Sequence, residues 1–304
     1  GPWATVNGSD FATYGLYGVT AYTGGYTSLA ARAGVPNSVV PDDANAHARI
    51  AEDGDSGAIT VEGDPVSSIG TLTQTHPGYA ATVATASKTF RTMGLTVAAS
   101  AESLTIGAAP EDGTLTALTD GGTLTLRNDS TRTLTVNAAI ADNTSASPLT
   151  ILGSGPVNLG GAVSHTGPTA LGNSTLTFSS ALPQTLSGVV SGKGTIVKNG
   201  TNVLHLLAAN TYTGPTYLNT GIVRANQNAT FGSSSGGGVF IADGATLDVG
   251  CTPDVGGTRI NNALDFGAKV ITIQGIGYEG MGAIINSSTG SQFNALERLV
   301  LAGD

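Results

Sequence analysis

This chain is short of most of what catalysis and nucleic-acid binding draw on. It has one cysteine, Cys251, so no intrachain disulfide and no cysteine zinc cluster can form. The lone thiol reads as a small buried residue. Only 11% of its 304 residues are charged and 5% aromatic, less than a globular enzyme usually carries. Acids outnumber bases and the formal net charge is -9. With no basic run to neutralise phosphates, nucleic acid is excluded as a partner, and an anionic membrane surface is disfavoured. No apolar stretch approaches the ~18 residues that span a bilayer, so no membrane insertion is expected. The chain starts at Gly1-Pro2 without Met, and reads as a piece of a longer protein.

What is abundant is glycine, 44 residues, set among alternating apolar and threonine positions. Leu-Thr-apolar triplets begin at Leu95, Leu104, Leu115, Leu124, Leu134, Leu149 and Leu176. Such alternation predicts half-buried strands, with Leu115, Leu124, Leu126, Leu134, Val136, Leu204 and Leu206 inward and Thr116, Thr125 and Thr135 outward. No long segment has helical periodicity. Many short strands at this spacing would ordinarily point to a sandwich or a barrel.

A repeat points elsewhere. Thr-Gly-Pro-Thr occurs at 166–169 and again at 213–216, and residues 153–176 align without a gap on 200–223. A fixed period in the range of about 20–50 residues marks a solenoid, and two coils of ~23 residues would fit each step. The tetrapeptide then reads as a corner, stacked on its equivalent two coils away. Glycine would supply an unusual backbone conformation there, and proline would stop one strand before the next. The expected fold is all-β: a right-handed parallel β-helix (β-solenoid), its hand following the preference of parallel connections. Residues 1–90 are the less regular N-terminal part with acidic loops. Residues 91–304 are the regular solenoid, with its repeats at 153–176 and 200–223.

Residues 192–223 resemble the autotransporter-associated β-strand repeat of large secreted bacterial proteins. The matching positions are Gly192, Gly194, Ile196, Lys198, Gly200, Leu204, Leu206, Asn210 to Gly214, Thr216, Gly221 and Val223. The chain departs from the pattern at Asn202, Ala208 and Pro215, where the family favours glycine, and His165 takes the tyrosine position in the earlier copy. Residues 1–15 and 275–304 also look like segments that recur in proteins with these repeats. The resemblance implies a parallel β-helix on a secreted or surface-attached passenger, and it brings no catalytic residue with it.

A search for chemistry starts at the acidic stretch 42–64, which holds Asp42, Asp43, Glu52, Asp53, Asp55, Glu62 and Asp64. Its spacing is not that of an EF-hand, and a solvated loop is the stronger reading than a calcium site. The other acids sit mostly beside Gly, Asn or Thr, as turn residues do. Asp248 is the exception, inside a strand-like run and facing outward with no second acid beside it. His47, His76, His165 and His205 lack metal-ligand spacing, and His205 alternates with leucines as an outward strand residue. The run 232–238, rich in Ser and Gly, reads as a flexible tip. No catalytic, cofactor-binding or metal residue is assigned, no cofactor is expected, and the chain is expected not to be an enzyme.

The leading expectation is a structural extracellular scaffold or stalk of a bacterial cell-surface protein, adhesive or filament-forming. Its partners would be a cell-surface glycan, a continuing chain, or an axial copy of itself. Two alternatives stand beside it. One is a polysaccharide-acting β-helix lyase or glycoside hydrolase, which needs clustered carboxylates on one exposed face. The other is a glycan-binding module, for which Tyr14, Tyr17, Tyr22 and Tyr26 form the densest aromatic group.

Overall fold

The computed structural model describes residues 24–250, 264–288, 291–292 and 295–303, and the backbone of 5–6, 10–15 and 18–21. Cys251, Asp254 and Asp304, with the side chains of Asp10, Tyr14, Tyr17 and Tyr22, lie outside the described residues. The fold is an all-β parallel solenoid. The one helical element among the described residues is a single 3₁₀ turn, Tyr278–Gly280. The chain divides into two compact units, Gly1–Gly161 and Ala162–Asp304.

In the first unit, a small antiparallel sheet of Thr5–Val6, Asp10–Gly15 and Gly18–Ala21 precedes the coils. Strands Ile59–Val61, Ala81–Ala84, Leu104–Ile106, Leu134–Val136 and Val157–Leu159 then stack in parallel to make one wall. Apolar residues lie over apolar residues at each step. Leu104 pairs with Leu134 and Leu134 with Val157, and all three are closed to solvent. Each buried Leu or Val contributes roughly 1.5–3 kcal/mol to holding one coil on the next.

Two further walls share long strands. The first half of Thr89–Val97 pairs with Thr114–Ala117 and its second half with Leu124–Asn128. Strand Val66–Gln74 runs beside it in the same register. Successive triplets Leu95, Leu104, Leu115 and Leu124 therefore occupy successive walls. The triplet spacing read from the sequence is the step from wall to wall, not from coil to coil.

All seven apolar residues expected inside are buried, and Thr135 points outward and is half-buried. Thr116 and Thr125 are a correction, being only 3% and 6% exposed. They flank the seam where the two walls meet along Gly94. The outward residues Thr71, Thr73 and Thr96 beside them are also buried, so the outer surfaces converge on the seam instead of opening to solvent.

The acidic stretch holds a second correction. Asp43–Glu52 is a ten-residue strand, not a loop. Its inward positions are Ala48 and Ile50, and so small a residue as alanine hides the alternation.

The second unit is three-walled and more regular. One wall begins with Thr169–Leu171 and Val190–Gly192. The next runs through Thr175–Phe178, Thr195–Lys198, Thr216–Leu218, Val239–Ile241, Val270–Ile273 and Arg298–Leu301. The third holds Gln184–Leu186, Val203–Leu206, Gly221–Ala225, Ala245–Asp248 and Ile284–Ile285. Leu176 pairs with Ile196 and Ile196 with Thr216, so two coils carry the chain from Leu176 to Thr216.

That coil length overturns the expectation of stacked tetrapeptide corners. The sequence repeat lays Leu176 on Val223, whereas two coils end short of it, at Thr216. Thr169 opens a strand of the first wall, and Thr216 opens a strand of the second. The two Gly-Pro corners are therefore not equivalent positions. Close approach accounts for the glycine of the later corner, and at the earlier corner for the glycine stacked against it one coil on. A Cβ on Gly214 would sit 2.0 Å from the Gly194 carbonyl oxygen, and one on Gly188 would sit 2.2 Å from that of Gly167.

Candidate functional site

Five acids outside the stretch 42–64 serve turns, as their neighbours in sequence suggested. Asp112 accepts backbone N–H groups of Thr85, Ser87 and Ala108 at 3.1, 3.1 and 2.7 Å. Burial acts to raise its pKa, but these donors hold the carboxyl below the usual range. Asp120, Asp142, Asp243 and Asp265 likewise accept from Ser145, Ser147, Ile276 and Gly267. Within the acidic stretch, Asp42 accepts Ser68 N–H at 2.7 Å and Asp43 accepts Asn45 N–H at 2.9 Å. Among the described residues, no three His, Cys, Asp or Glu side chains gather as a metal site.

Asp248 faces outward along its strand yet is fully buried. Arg224 on the adjacent strand donates Nε to its Oδ2 at 2.7 Å. The Ser287 hydroxyl donates to the same oxygen, and Ser287 and Gly250 N–H groups to Oδ1. Burial pushes this carboxyl up, and the donors together pull it below the usual range. In the same outward row lie Thr185 and His205, in register with Arg224. His205 is outward as expected. Burial lowers its pKa first and Arg224 second, against an opposing pull from Asp248. Sequence reasoning missed the Arg224 partner because it lies a whole coil away along the chain. Only the register of Gly221 on Ala245 reveals it.

His165 is buried inside, with Nε2 3.0 Å from Thr169 Oγ1, and His47 Nδ1 lies 2.6 Å from Thr71 Oγ1. The histidines are thus distributed among different walls and corners. The run 232–238 is not a free tip. Ser233 and Gly237 N–H groups donate to Tyr212 and Thr213 carbonyls, and the buried Lys269 ammonium donates to Ser233 and Gly237 carbonyls. Beside it, Asn210, Thr211, Thr213, Asn228, Asp265 and Phe266 are among the residues lining an open pocket of about 670 Å³.

An assembly of chemically distinct side chains occupies one corner of the first unit. Three successive turns stack there, and Arg32, Asn37, Glu52, Asp53, Asp55 and Tyr79 line a groove of about 500 Å³. Gly54 allows this stacking, because a Cβ would lie 2.1 Å from the Arg32 carbonyl oxygen. The Arg32 guanidinium carbon sits 3.9 Å from the Tyr79 ring centroid. Arg32 Nε is closed to solvent and makes no hydrogen bond. His76 buttresses the tyrosine, with ring centroids 5.0 Å apart. Its Nδ1 accepts the N–H groups of Gly78 and Tyr79, both at 3.0 Å, so Nε2 carries the proton and donates to Asp53 Oδ1 at 2.7 Å. Glu52 accepts weakly from Asn37 at 3.5 Å. This corner joins residues from separate coils, well apart in sequence. Of the tyrosines singled out as dense, Tyr26 is described and lies under Arg49, with the guanidinium carbon 4.0 Å from its centroid.

Among the described residues, no helix is long and apolar enough to cross a membrane. Over 123 residues, 36% of this chain, the sequence is 30% identical to the adhesin BmaC autotransporter of Brucella suis biovar 1 (strain 1330). That match spans 4% of the adhesin's own length. No protein-family model matches the chain, and no solved structure matches it. What the chain shares with a known protein is thus a stretch of sequence with an autotransporter adhesin, on a parallel β-solenoid.

Proposed function

We propose that this chain is a structural, non-enzymatic scaffold of the autotransporter-associated β-strand repeat type, part of a large bacterial protein displayed outside the cell. The similarity to an autotransporter adhesin carries this reading. The in-register stacking of buried Leu, Ile and Val supports it, since each coil needs only its neighbours and no ligand or metal to complete a core. Charge is scarce and threonine recurs at outward strand positions such as Thr105, Thr135, Thr177 and Thr195, with chemically richer corners at the turns. Adhesion is the role proposed for those corners, with a cell-surface glycan as the partner.

Protease shaving of intact cells of the native host, followed by peptide mass spectrometry, tests the location. Peptides of this chain should appear in the shaved fraction before cytosolic markers do. Their recovery only after lysis would sink the reading. Release of reducing sugar or unsaturated product from a polysaccharide panel by the purified chain would replace the scaffold with an enzyme.

A further inference from the structure

We propose that the groove between Arg32 and Tyr79 is a binding subsite for an uncharged, hydroxyl-rich sugar. The inference rests on the adhesive reading above and names the ligand class for one corner. It starts from an imbalance in hydrogen bonding. Arg32 is a donor without acceptor capacity, and Glu52, Asp53 and Asp55 as carboxylates are acceptors without donors. They line the same groove, yet among the described residues Arg32 makes no ion pair with any of them, and its buried Nε is left without a partner. Nε is closed to solvent, so the donors that face a groove ligand are the Nη groups, which none of these carboxylates accepts among the described residues.

The groove's charges decide what that ligand is. An anion would satisfy Arg32 but meet three carboxylates. A cation would satisfy the carboxylates but meet a guanidinium fixed on the Tyr79 ring. A hydroxyl donates and accepts at once, so vicinal hydroxyls can accept from Arg32 and donate to Glu52 or Asp55 together. Asn37 adds a further amide of both kinds. The groove volume of about 500 Å³ falls in the range of small-ligand sites.

The corner is also held in place before any ligand arrives. The guanidinium carbon lies over the Tyr79 ring, and the tyrosine is backed by His76, itself anchored by three hydrogen bonds. A guanidinium oriented in advance loses less freedom on binding than a free one.

The test is calorimetry and ligand-observed NMR on the full chain. Probes are uncharged gluco-, galacto- and manno-oligosaccharides, with oligogalacturonate as the anionic and chitosan oligomers as the cationic comparison. We expect an uncharged oligosaccharide to bind with a Kd in the millimolar range or tighter. Arg32→Ala and Tyr79→Ala should each weaken it at least tenfold. Arg32→Lys, which keeps the charge but loses the fork, should weaken it similarly. Glu52→Gln and Asp55→Asn, both at exposed positions and neutral for folding, should weaken it several-fold, so a fold defect in the Arg32 variants cannot mask the result. Absence of binding by every uncharged probe, binding indifferent to all five substitutions, or a preference for the anionic or cationic probe would each overturn the proposal. None of these outcomes bears on shaving from the cell surface, so the scaffold reading stands or falls separately.

Discussion

The Tyr212 hydroxyl lies 2.7 Å from Thr216 Oγ1, and both side chains are buried. One sequence repeat earlier, His165 Nε2 meets Thr169 Oγ1 at 3.0 Å across the same Gly-Pro turn. The sequence repeat therefore has a structural content, a ring locked onto a threonine hydroxyl on the far side of the turn. What does not repeat is the wall on which the turn is placed.

Tyr212→Phe should leave the Thr216 hydroxyl without its ring partner in the interior. A cost of about 1–3 kcal/mol is expected, the penalty of stranding a buried polar group. Adding Thr216→Val to Tyr212→Phe should recover part of it, because both polar atoms then disappear. Urea denaturation of the two variants and the parent measures both steps. A double variant no more stable than Tyr212→Phe alone would refute the coupling.

That turn also marks how far the sequence could be read. Leucine-threonine alternation made the strands and their inward faces legible, because period-two burial is written residue by residue. The phase of the coils was not legible. A turn that satisfies itself locally, through Tyr212 and Thr216 or His165 and Thr169, can be used at any corner, so its recurrence fixes no coil length. The same limit hid the groove. Arg32, Asp53 and His76 meet only because the register of Thr27 on Ala48, and of Ala48 on Leu72, brings their turns together. Asp43–Glu52 was missed for a different reason, since alanine at inward positions gives too weak an apolar signal.

Asp248 and Arg224 form the most enclosed ion pair among the described residues of the second unit. Asp248→Asn should destabilise by about 3–5 kcal/mol at neutral pH, as removal of one partner strands the other's charge. The pH dependence has a defined sign. The carboxyl's folded pKa is depressed, so its contribution is present above the unfolded value of about 3.9 and is lost as pH falls through the folded one. Urea midpoints from pH 7 down to pH 3 should therefore fall more steeply for the parent than for Asp248→Asn. Parallel curves would show that folding does not depress the Asp248 carboxyl.

Lys198 predicts the opposite limb. It points into the core, donates to the Gly200 carbonyl, and burial lowers its pKa to about 8. Between pH 8 and the ordinary value of 10.5, the unfolded chain holds a proton that the folded chain has released. Stability should therefore rise with pH across that window, by roughly 2–3 kcal/mol. Above about pH 10, Tyr212 works the other way, since burial raises its phenol and favours the neutral folded form. Lys198→Met should flatten the rise between pH 8 and 10 while keeping or improving stability at pH 7. An unchanged slope in the variant would remove Lys198 as its source.

The unit of construction can be tested by excision. Leu204 pairs with Val223, so removing residues 204–222 joins Val203 to Val223 and deletes one coil. Val223 then takes the place of Leu204 against Gln184, and Val239 takes that of Thr216 against Ile196. Every later inward residue stays inward, and Tyr212 leaves together with Thr216. Nearest-neighbour stacking predicts a folded protein that has lost one interface. Removing residues 169–215 instead deletes one full sequence repeat and joins the two Gly-Pro turns without disturbing the local sequence. It carries Thr216–Leu218 onto the wall of Thr169–Leu171, and each strand that follows is displaced by one wall. Strands whose outward and inward faces were fitted to one pair of neighbours then meet another. The one-coil deletion should keep a cooperative melt and a β-rich circular dichroism spectrum, while the full-repeat deletion loses cooperativity or aggregates. Should the longer deletion fold as well as the shorter, the sequence repeat and not the coil would be the unit from which this chain is built.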